Sequence, residues 1–509
     1  MQIDILHELG RGFLIALSPS MLMYSGVGAV LGTAIGVLPG IGSAGALALM
    51  LPIVTSLDPV GAIIMLAATY TGVMYGGGIS SILLNTPGDT SAVIVCLDGH
   101  QMAKQGRAGP ALCISAISSY LAGTVAVLGM MLIGPLISRI ALTFSPPEYF
   151  ALMLFGLTAV SSLAGDSLLK AFMSVCVGLM LATVGVDVAG VPRFVFGIPD
   201  LLSGIEFLSI TLGLFAISEV LIGVRNIRQG AVPELVEHRL FISFREIREC
   251  IGSIFRGGVL GFFVGVLPGA GAGIASFLAY SLETQVSRHP ERFGKGEIRG
   301  VSAPEAANNA ASAGAMVPML TLGIPGSATT AVMLGAFVML DITPGPLLFS
   351  QRPDLVWGLI AALYIGNIML LILNLPLVNL FIRILYLPMR MLIPIIVVIA
   401  AAGIFSVNYS ILDLFELCFF GLLGDYMRRY GYPLAPVILG FVLGGRMEEA
   451  FRQSMIMHQG NILEIIERPI VSVFLLLSVA SLVLPPLIRT RSRRGLISGE
   501  APQALPMEE

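Results

Sequence analysis

The chain has 509 residues, 56% of them hydrophobic and 12% charged, with a mean hydropathy of +0.91. A soluble domain carries about twice that share of charge, so the composition excludes an ordinary soluble enzyme and points to a polytopic helical membrane protein. A net charge of −3, with no basic patch interleaved with aromatics, excludes a nucleic-acid partner.

The first ten residues lack a basic n-region, so no cleaved signal peptide is expected and the first apolar segment reads as a retained anchor. Apolar runs predict spans near 12–36, 60–84, 109–138, 148–163, 167–186 and 203–224. More follow near 251–267, 305–340, 355–382, 391–407, 411–427, 433–445 and 470–488. Shorter pieces near 41–56, 88–97 and 270–283 read as half-helices or re-entrant hairpins in the lipid bilayer. The long hydrophilic stretches are Arg225–Cys250, Thr284–Gly300 and the tail from Arg489. This divides the chain into a first transmembrane half (1–224), a basic cytoplasmic linker (225–250), a second half (251–488) and a cytoplasmic tail (489–509).

Lys and Arg concentrate in short cytoplasmic loops. The basic segments 98–109, 225–250, 284–300, Arg428–Arg429 and Arg489–Arg494 fit on one side of these spans. The C-terminus is then cytoplasmic and the N-terminus periplasmic.

The string GVLPG occurs at Gly36–Gly40 and again at Gly265–Gly269. Around it, Gly28–Gly42 and Gly257–Gly271 match at 10 of 15 positions without a gap. A second landmark pairs Pro87-Gly88 with Pro325-Gly326, at an offset nine residues greater than that of GVLPG. Basic loops in one half correspond to non-basic loops in the other, which predicts an inverted-topology repeat. The expected fold class is therefore an all-α polytopic membrane protein of two inverted repeats with Pro-Gly-broken half-helices or re-entrant hairpins.

Each half carries two breaks: Pro39-Gly40 and Pro87-Gly88, then Pro268-Gly269 and Pro325-Gly326. Pro lacks the backbone donor and Gly permits helix-ending conformations. Unwound backbone at membrane depth is tolerated where it is buried or lines a polar cavity. Ser43, Thr90, Ser91, Ser327, Thr329 and Thr330 follow the breaks, where free N–H groups and the positive helix end suit an anion. Asn85 and Thr86 precede Pro87, and Asn308 and Asn309 lie in the Ala-rich segment 303–310. Amides there are costly unless satisfied. Their oxygens can ligate a cation and their NH₂ groups can donate to a carboxylate, so Asn85, Asn308 and Asn309 are candidate cation or substrate ligands. The ordinary alternatives are hinges for the breaks and interhelical hydrogen bonds for the amides. Glu305 reads as a cap or membrane-edge carboxylate, Asp98–Arg107 as a solvated turn, and Asp166, Asp187 and Asp425 as helix-end caps. Five scattered cysteines suggest neither a disulfide framework nor a metal site, and no catalytic constellation appears.

Several longer strings carry a resemblance. They are GVLPGIG at 36–42, YTGVMYGGGISSILLNTPG at 70–88, LDGHQMAKQGRAGPAL at 97–112, GVLPGAGAG at 265–273 and APEAANNAASAGAMVPMLTLGIPGSATTAV at 303–332. The chain resembles, over roughly 10–480, the large membrane subunit of tripartite tricarboxylate transporters, the TctA family. His100 stands where many relatives carry Tyr. The resemblance implies a secondary transporter of the bacterial inner membrane, not an enzyme. It also implies a small four-helix membrane subunit and a periplasmic solute-binding protein as partners. The substrate would be a citrate-like di- or tricarboxylate and the coupling cation Na⁺ in preference to H⁺, with no other cofactor. An intramembrane enzyme and a passive anion channel are the alternatives. No Arg or Lys lies in the apolar motifs, so helix ends, hydroxyls, amides and a co-bound cation would have to hold a multiply charged anion.

Overall fold

The computed structural model describes residues 5–38, 40–163, 167–187, 189–226, 241–384 and 389–497. Pro39 and Asp166 lie outside the described residues.

Helix α1 (Ile5–Ala16) is followed by α2 (Pro19–Val37), so the apolar run predicted as one span at 12–36 is broken. Pro19 has no N–H to give to the preceding turn and starts the new helix instead. Next come α3 (Gly42–Val54) and α4 (Pro59–Leu84), whose start is capped by Asp58 accepting from the Gly61 N–H at 2.9 Å. Asn85 ends α4 in the left-handed conformation, φ 56°. A 3₁₀ turn at Thr90–Ala92 leads into α5 (Val95–Lys104), then α6 (Ala108–Ala141), α7 (Pro146–Leu163) and α8 (Leu168–Leu181). A two-residue antiparallel pair, β1 (Gly185–Val186) with β2 (Pro192–Arg193), precedes α9 (Phe207–Leu212). A π-helical turn at Gly213–Ile217 joins α9 to α10 (Ser218–Asn226).

The second half opens with α11 (Phe244–Val266), held by a Ser243–Glu246 capping box. Helices α12 (Gly271–Val286), α13 (Arg299–Leu322), α14 (Ala328–Met339), α15 (Leu348–Gln351) and α16 (Pro353–Asn374) follow. The remainder is α17 (Val378–Ile384), α18 (Met389–Asn408), α19 (Ile411–Arg429), α20 (Ala435–Met457), α21 (Ile462–Ile466) and α22 (Pro469–Ile497). The run predicted as one span at 305–340 is two helices, because Gly323 (φ 71°) and Pro325 stop α13. Among the described residues, seven helices are long and apolar enough to cross a membrane, and shorter apolar helices lie between them. The protein is an all-α, multi-pass membrane protein.

The sequence repeat has a structural counterpart. Gly28, Gly32 and Gly36 of α2 press on the backbone carbonyls of Met65, Thr69 and Val73 of α4. Gly257, Gly261 and Gly265 of α11 press in the same way on Ala303, Ala307 and Ala311 of α13. At each of these positions a Cβ would collide with backbone, so only glycine permits the approach. Gly88 and Gly326 back onto the carbonyls of Gly36 and Gly265 respectively. Between the halves, α6 packs on α13 and α11, while α16 packs on α4 and α2.

Three expectations are corrected. The segment 98–107 is not a solvated turn. Most of it is helix α5, and Asp98 is fully buried, accepting from the Gly296 and Glu297 N–H groups (2.8 and 2.9 Å) and the Tyr280 hydroxyl (2.8 Å). Glu305 is neither a cap nor at a membrane edge. It sits inside α13 with no exposure. Asp425 is likewise within α19 rather than at its cap, paired with Arg225 and with Arg429 at 2.7 Å.

Candidate functional site

The breaks bring helix starts from both halves to one cavity of about 630 Å³. Gly40 and Gly42 take φ 98° and 67°, and Gly269 and Gly271 take φ 81° and 63°. Both GVLPG-type turns therefore use the same left-handed glycine pair to reverse the chain into α3 and α12. Their first turns, Gly42–Ala44 and Gly271–Gly273, line the cavity with the start of α14, Ser327–Thr329. No side chain caps α12 among the described residues, which leaves its first N–H groups facing the cavity region.

Hydroxyls and one carboxylate tie these starts together. Asp89 Oδ2 accepts from both the backbone N–H and the hydroxyl of Ser43 at 2.8 Å. Its Oδ1 accepts from the Ser91 N–H at 3.0 Å and the Ser91 hydroxyl at 2.7 Å. Ser43 Oγ lies 2.7 Å from Thr329 Oγ1, joining the first half to the second. Ser327 caps α14 by accepting from the Thr330 N–H, and the Tyr70 hydroxyl stands 3.4 Å from Ser327 Oγ.

One wall comes from further along the chain. Arg428 of α19 lines the cavity with Phe215, Pro433 and Ala435. Its guanidinium pairs with Glu219 of α10, and its Nε has no partner among the described residues. Glu219 also abuts Gly40, where any Cβ would meet its carboxylate.

Of the residues expected at the site, Gly40, Ser43, Pro87, Gly88, Thr90, Gly269, Ser327 and Thr329 line the cavity. Ser91 is buried behind it on Asp89. Pro268, Pro325 and Gly326 form the turns without lining the space, and Gly326 accepts from the Gly269 N–H at 3.0 Å. Asn85 and Thr86 are exposed at the end of α4, off the cavity. Asn308 and Asn309 are buried in α13 and also off it. Asp89, Tyr70 and Arg428 were not singled out from sequence. Asp89 directly follows the Pro87-Gly88 break, a signal that was available. Arg428 stands in a two-arginine cluster that had marked only the cytoplasmic side.

A family model described as the tripartite tricarboxylate transporter TctA family matches residues 22–439. The chain belongs to that family. Two relatives come from Agrobacterium vitis. One, a 52.8 kDa protein of the TAR-I ttuC' 3' region, is 43% identical over 495 residues, covering 96% of this chain and 98% of its own length. The other, of the TAR-II ttuC' 3' region, is 44% identical over 234 residues, covering 46% of this chain and 97% of its own length. No solved structure matches the chain. As a TctA-family member, the protein is the membrane component of a tripartite tricarboxylate transporter and not an enzyme. Partner subunits and a solute-binding protein belong to such a system.

Proposed function

We propose that this TctA-family subunit imports a di- or tricarboxylate by alternating access of two inverted halves, driven by a cation gradient in which Na⁺ is preferred to H⁺. The observation that carries the reading is the cavity in which helix starts from both halves meet, joined by Ser43 and Thr329. A carboxylate there takes hydrogen bonds from the N–H groups opening α12, from the hydroxyls of Thr90 and Ser327, and from the Arg428 guanidinium, while Ser43 and Thr329 hold the helix starts together through Asp89. Helix N-termini favour the negative charge. Asp89 in the same wall repels a fully ionised substrate, and a co-bound cation offsets that repulsion.

The periplasmic binding protein delivers the substrate, and the small four-helix subunit completes the complex. The setting is the bacterial inner membrane, with the C-terminus cytoplasmic and the N-terminus periplasmic.

The test is uptake into vesicles containing this chain and the small subunit, with the binding protein outside and Na⁺ or H⁺ gradients imposed separately. Accumulation of a labelled di- or tricarboxylate that requires both the binding protein and a cation gradient supports the reading. Equilibration without either one rejects it in favour of a passive channel.

A further inference from the structure

A second buried polar group lies away from the cavity, where α4, α6 and α13 meet. Glu305 of α13 has no exposure. Its Oε2 accepts from the Ser119 hydroxyl at 3.3 Å, and Ser119 in turn accepts from Asn309 Nδ2 at 2.7 Å. Asn309 Nδ2 also donates to the Glu305 carbonyl at 3.2 Å, so both bonds fall on the nitrogen and the Oδ1 has no partner among the described residues. Five atoms here have no hydrogen-bond partner among the described residues: Glu305 Oε1, Asn309 Oδ1, the Tyr75 hydroxyl, and both Oδ1 and Nδ2 of Asn308. A Cβ on Gly78 would sit 2.6 Å from Glu305 Oε1 and 3.0 Å from Ser115 Oγ, so the missing side chain lets this carboxyl reach the α4 backbone.

No Arg, Lys or His among the described residues neutralises Glu305; its neighbours of consequence are Ser119 and Ser115. Facing it are Tyr75 on α4, Cys96 on α5 and, beyond Tyr75, Tyr120 on α6. On α11 and α12 the charged pair Arg256–Glu283 satisfies itself at 2.7 Å. A lone carboxylate held away from water, without a partner cation, is among the costliest arrangements a protein interior can hold. The oxygens left open beside it are the donor set that a hard cation takes.

We propose that Glu305, Ser119, Asn309 and Tyr75 form a buried site for one monovalent cation, Na⁺ or H⁺, at the α4–α6–α13 junction. Its role as the coupling site rests on the transport reading above. α4 belongs to the first half and α13 to the second, and α4 also presents Tyr70 and Met74 to the substrate cavity. Occupation of the site therefore acts on a helix that lines the substrate's space. A proton bound to Glu305 Oε1 adds an O–H donor there. Na⁺ instead draws Oε1, Asn309 Oδ1 and the Tyr75 hydroxyl around itself. In either case the charge of the carboxylate is cancelled.

The experiment uses the full-length chain in lipid nanodiscs, without substrate or partners. Radiolabelled Na⁺ binding and an infrared titration of the carboxyl C=O band are measured for the wild type, Glu305→Gln and Ser119→Ala. Saturable Na⁺ binding that falls at least tenfold in Glu305→Gln establishes the Na⁺ form. A protonated-carboxyl band that titrates in the wild type and is absent from Glu305→Gln, without Na⁺ binding, establishes the H⁺ form. Ser119→Ala keeps the carboxyl and loses its donor, so the Na⁺ affinity or the band position shifts even where Glu305→Gln does not fold. Equal Na⁺ binding and equal infrared spectra in all three proteins overturn the site. Cation-driven uptake that persists alongside that result leaves the transport reading standing and moves the coupling site elsewhere.

Discussion

Ser43 Oγ and Thr329 Oγ1 stand 2.7 Å apart although 286 residues separate them in the chain. Each is in the first turn of a helix that follows a Pro-Gly break, and each comes from a different half. The contact brings two elements of the repeat to one point. The Ser43 hydroxyl proton goes to Asp89, so Thr329 donates to Ser43. Removing either hydroxyl breaks the chain that holds the cavity's helix starts in register, at about 1.5–3 kcal/mol where the acceptor is charged and about 0.5–1.5 kcal/mol otherwise. Ser43→Ala and Thr329→Ala are each expected to raise the KM for uptake by about 10- to 100-fold while membrane insertion is unchanged. The measurement is initial uptake rate against carboxylate concentration in vesicles. Ser43→Ala should have the larger effect, because it also takes a donor from Asp89.

Arg428 is the one cationic side chain among those lining the cavity in the described residues. Its guanidinium pairs with Glu219 and its Nε is buried without a partner among the described residues, so the side chain brings its positive charge to the cavity wall while that pair holds it in place. Arg428→Gln is expected to reduce uptake at low substrate by about 10-fold or more. Arg428→Lys should rescue little, because an ammonium cannot contact Glu219 and substrate with a planar fork. Recovery of wild-type uptake in the Lys variant would remove Arg428 from the substrate site.

The GVLPG repeat and the Pro-Gly breaks were legible in sequence because they are covalent features with fixed geometric consequences. What Gly36 and Gly265 do is set by the facing helix, where the Val73 and Ala311 carbonyls leave no room for a Cβ. The break within the run 12–36 was harder to see than the Pro325-Gly326 break, which the sequence already marks inside the run 305–340. The hydropathy of both runs is continuous, and only Pro19 and the Gly323–Pro325 turn interrupt it. Arg428 was hidden for a different reason: its place in the wall depends on how α19 packs against α10, and no local pattern encodes that. Asp98 looked like a solvated residue because its neighbours His100, Gln101 and Lys104 are polar. Its burial is created by the Gly296–Glu297 backbone, nearly two hundred residues away. Asn85 drew notice for its side chain, yet the structure uses it for its tolerance of a left-handed backbone at the end of α4.

Asp98 joins α5 to the loop before α13 and to Tyr280 of α12 through three hydrogen bonds to one carboxylate. Asp98→Leu leaves two backbone N–H groups and one hydroxyl unpaired in the interior. A loss of about 3 kcal/mol or more is expected, at about 1–3 kcal/mol for each buried group left unsatisfied. Asp98→Asn keeps one acceptor oxygen and should lose less. Thermal unfolding of the two variants in the same detergent gives the order, and a Leu variant as stable as the wild type contradicts the assignment.

Gly32 and Gly261 occupy corresponding places in the two stripes, each over a carbonyl oxygen of the facing helix. Gly26, about three turns before the GVLPG string on the same helix, has open space where its Cβ would be. Gly32→Ala and Gly261→Ala must therefore push α2 from α4 and α11 from α13, at about 1–3 kcal/mol each or more, since backbone rather than a flexible side chain is in the way. Gly26→Ala should be neutral or slightly stabilising, because alanine is the better helix former by about 1 kcal/mol. The three proteins can be ranked by the temperature at which they leave the monodisperse peak in size-exclusion chromatography after heating. If the alanine at 32 is tolerated while the one at 261 is not, the two stripes are not mechanically equivalent, and the halves would have to move by different amounts during transport.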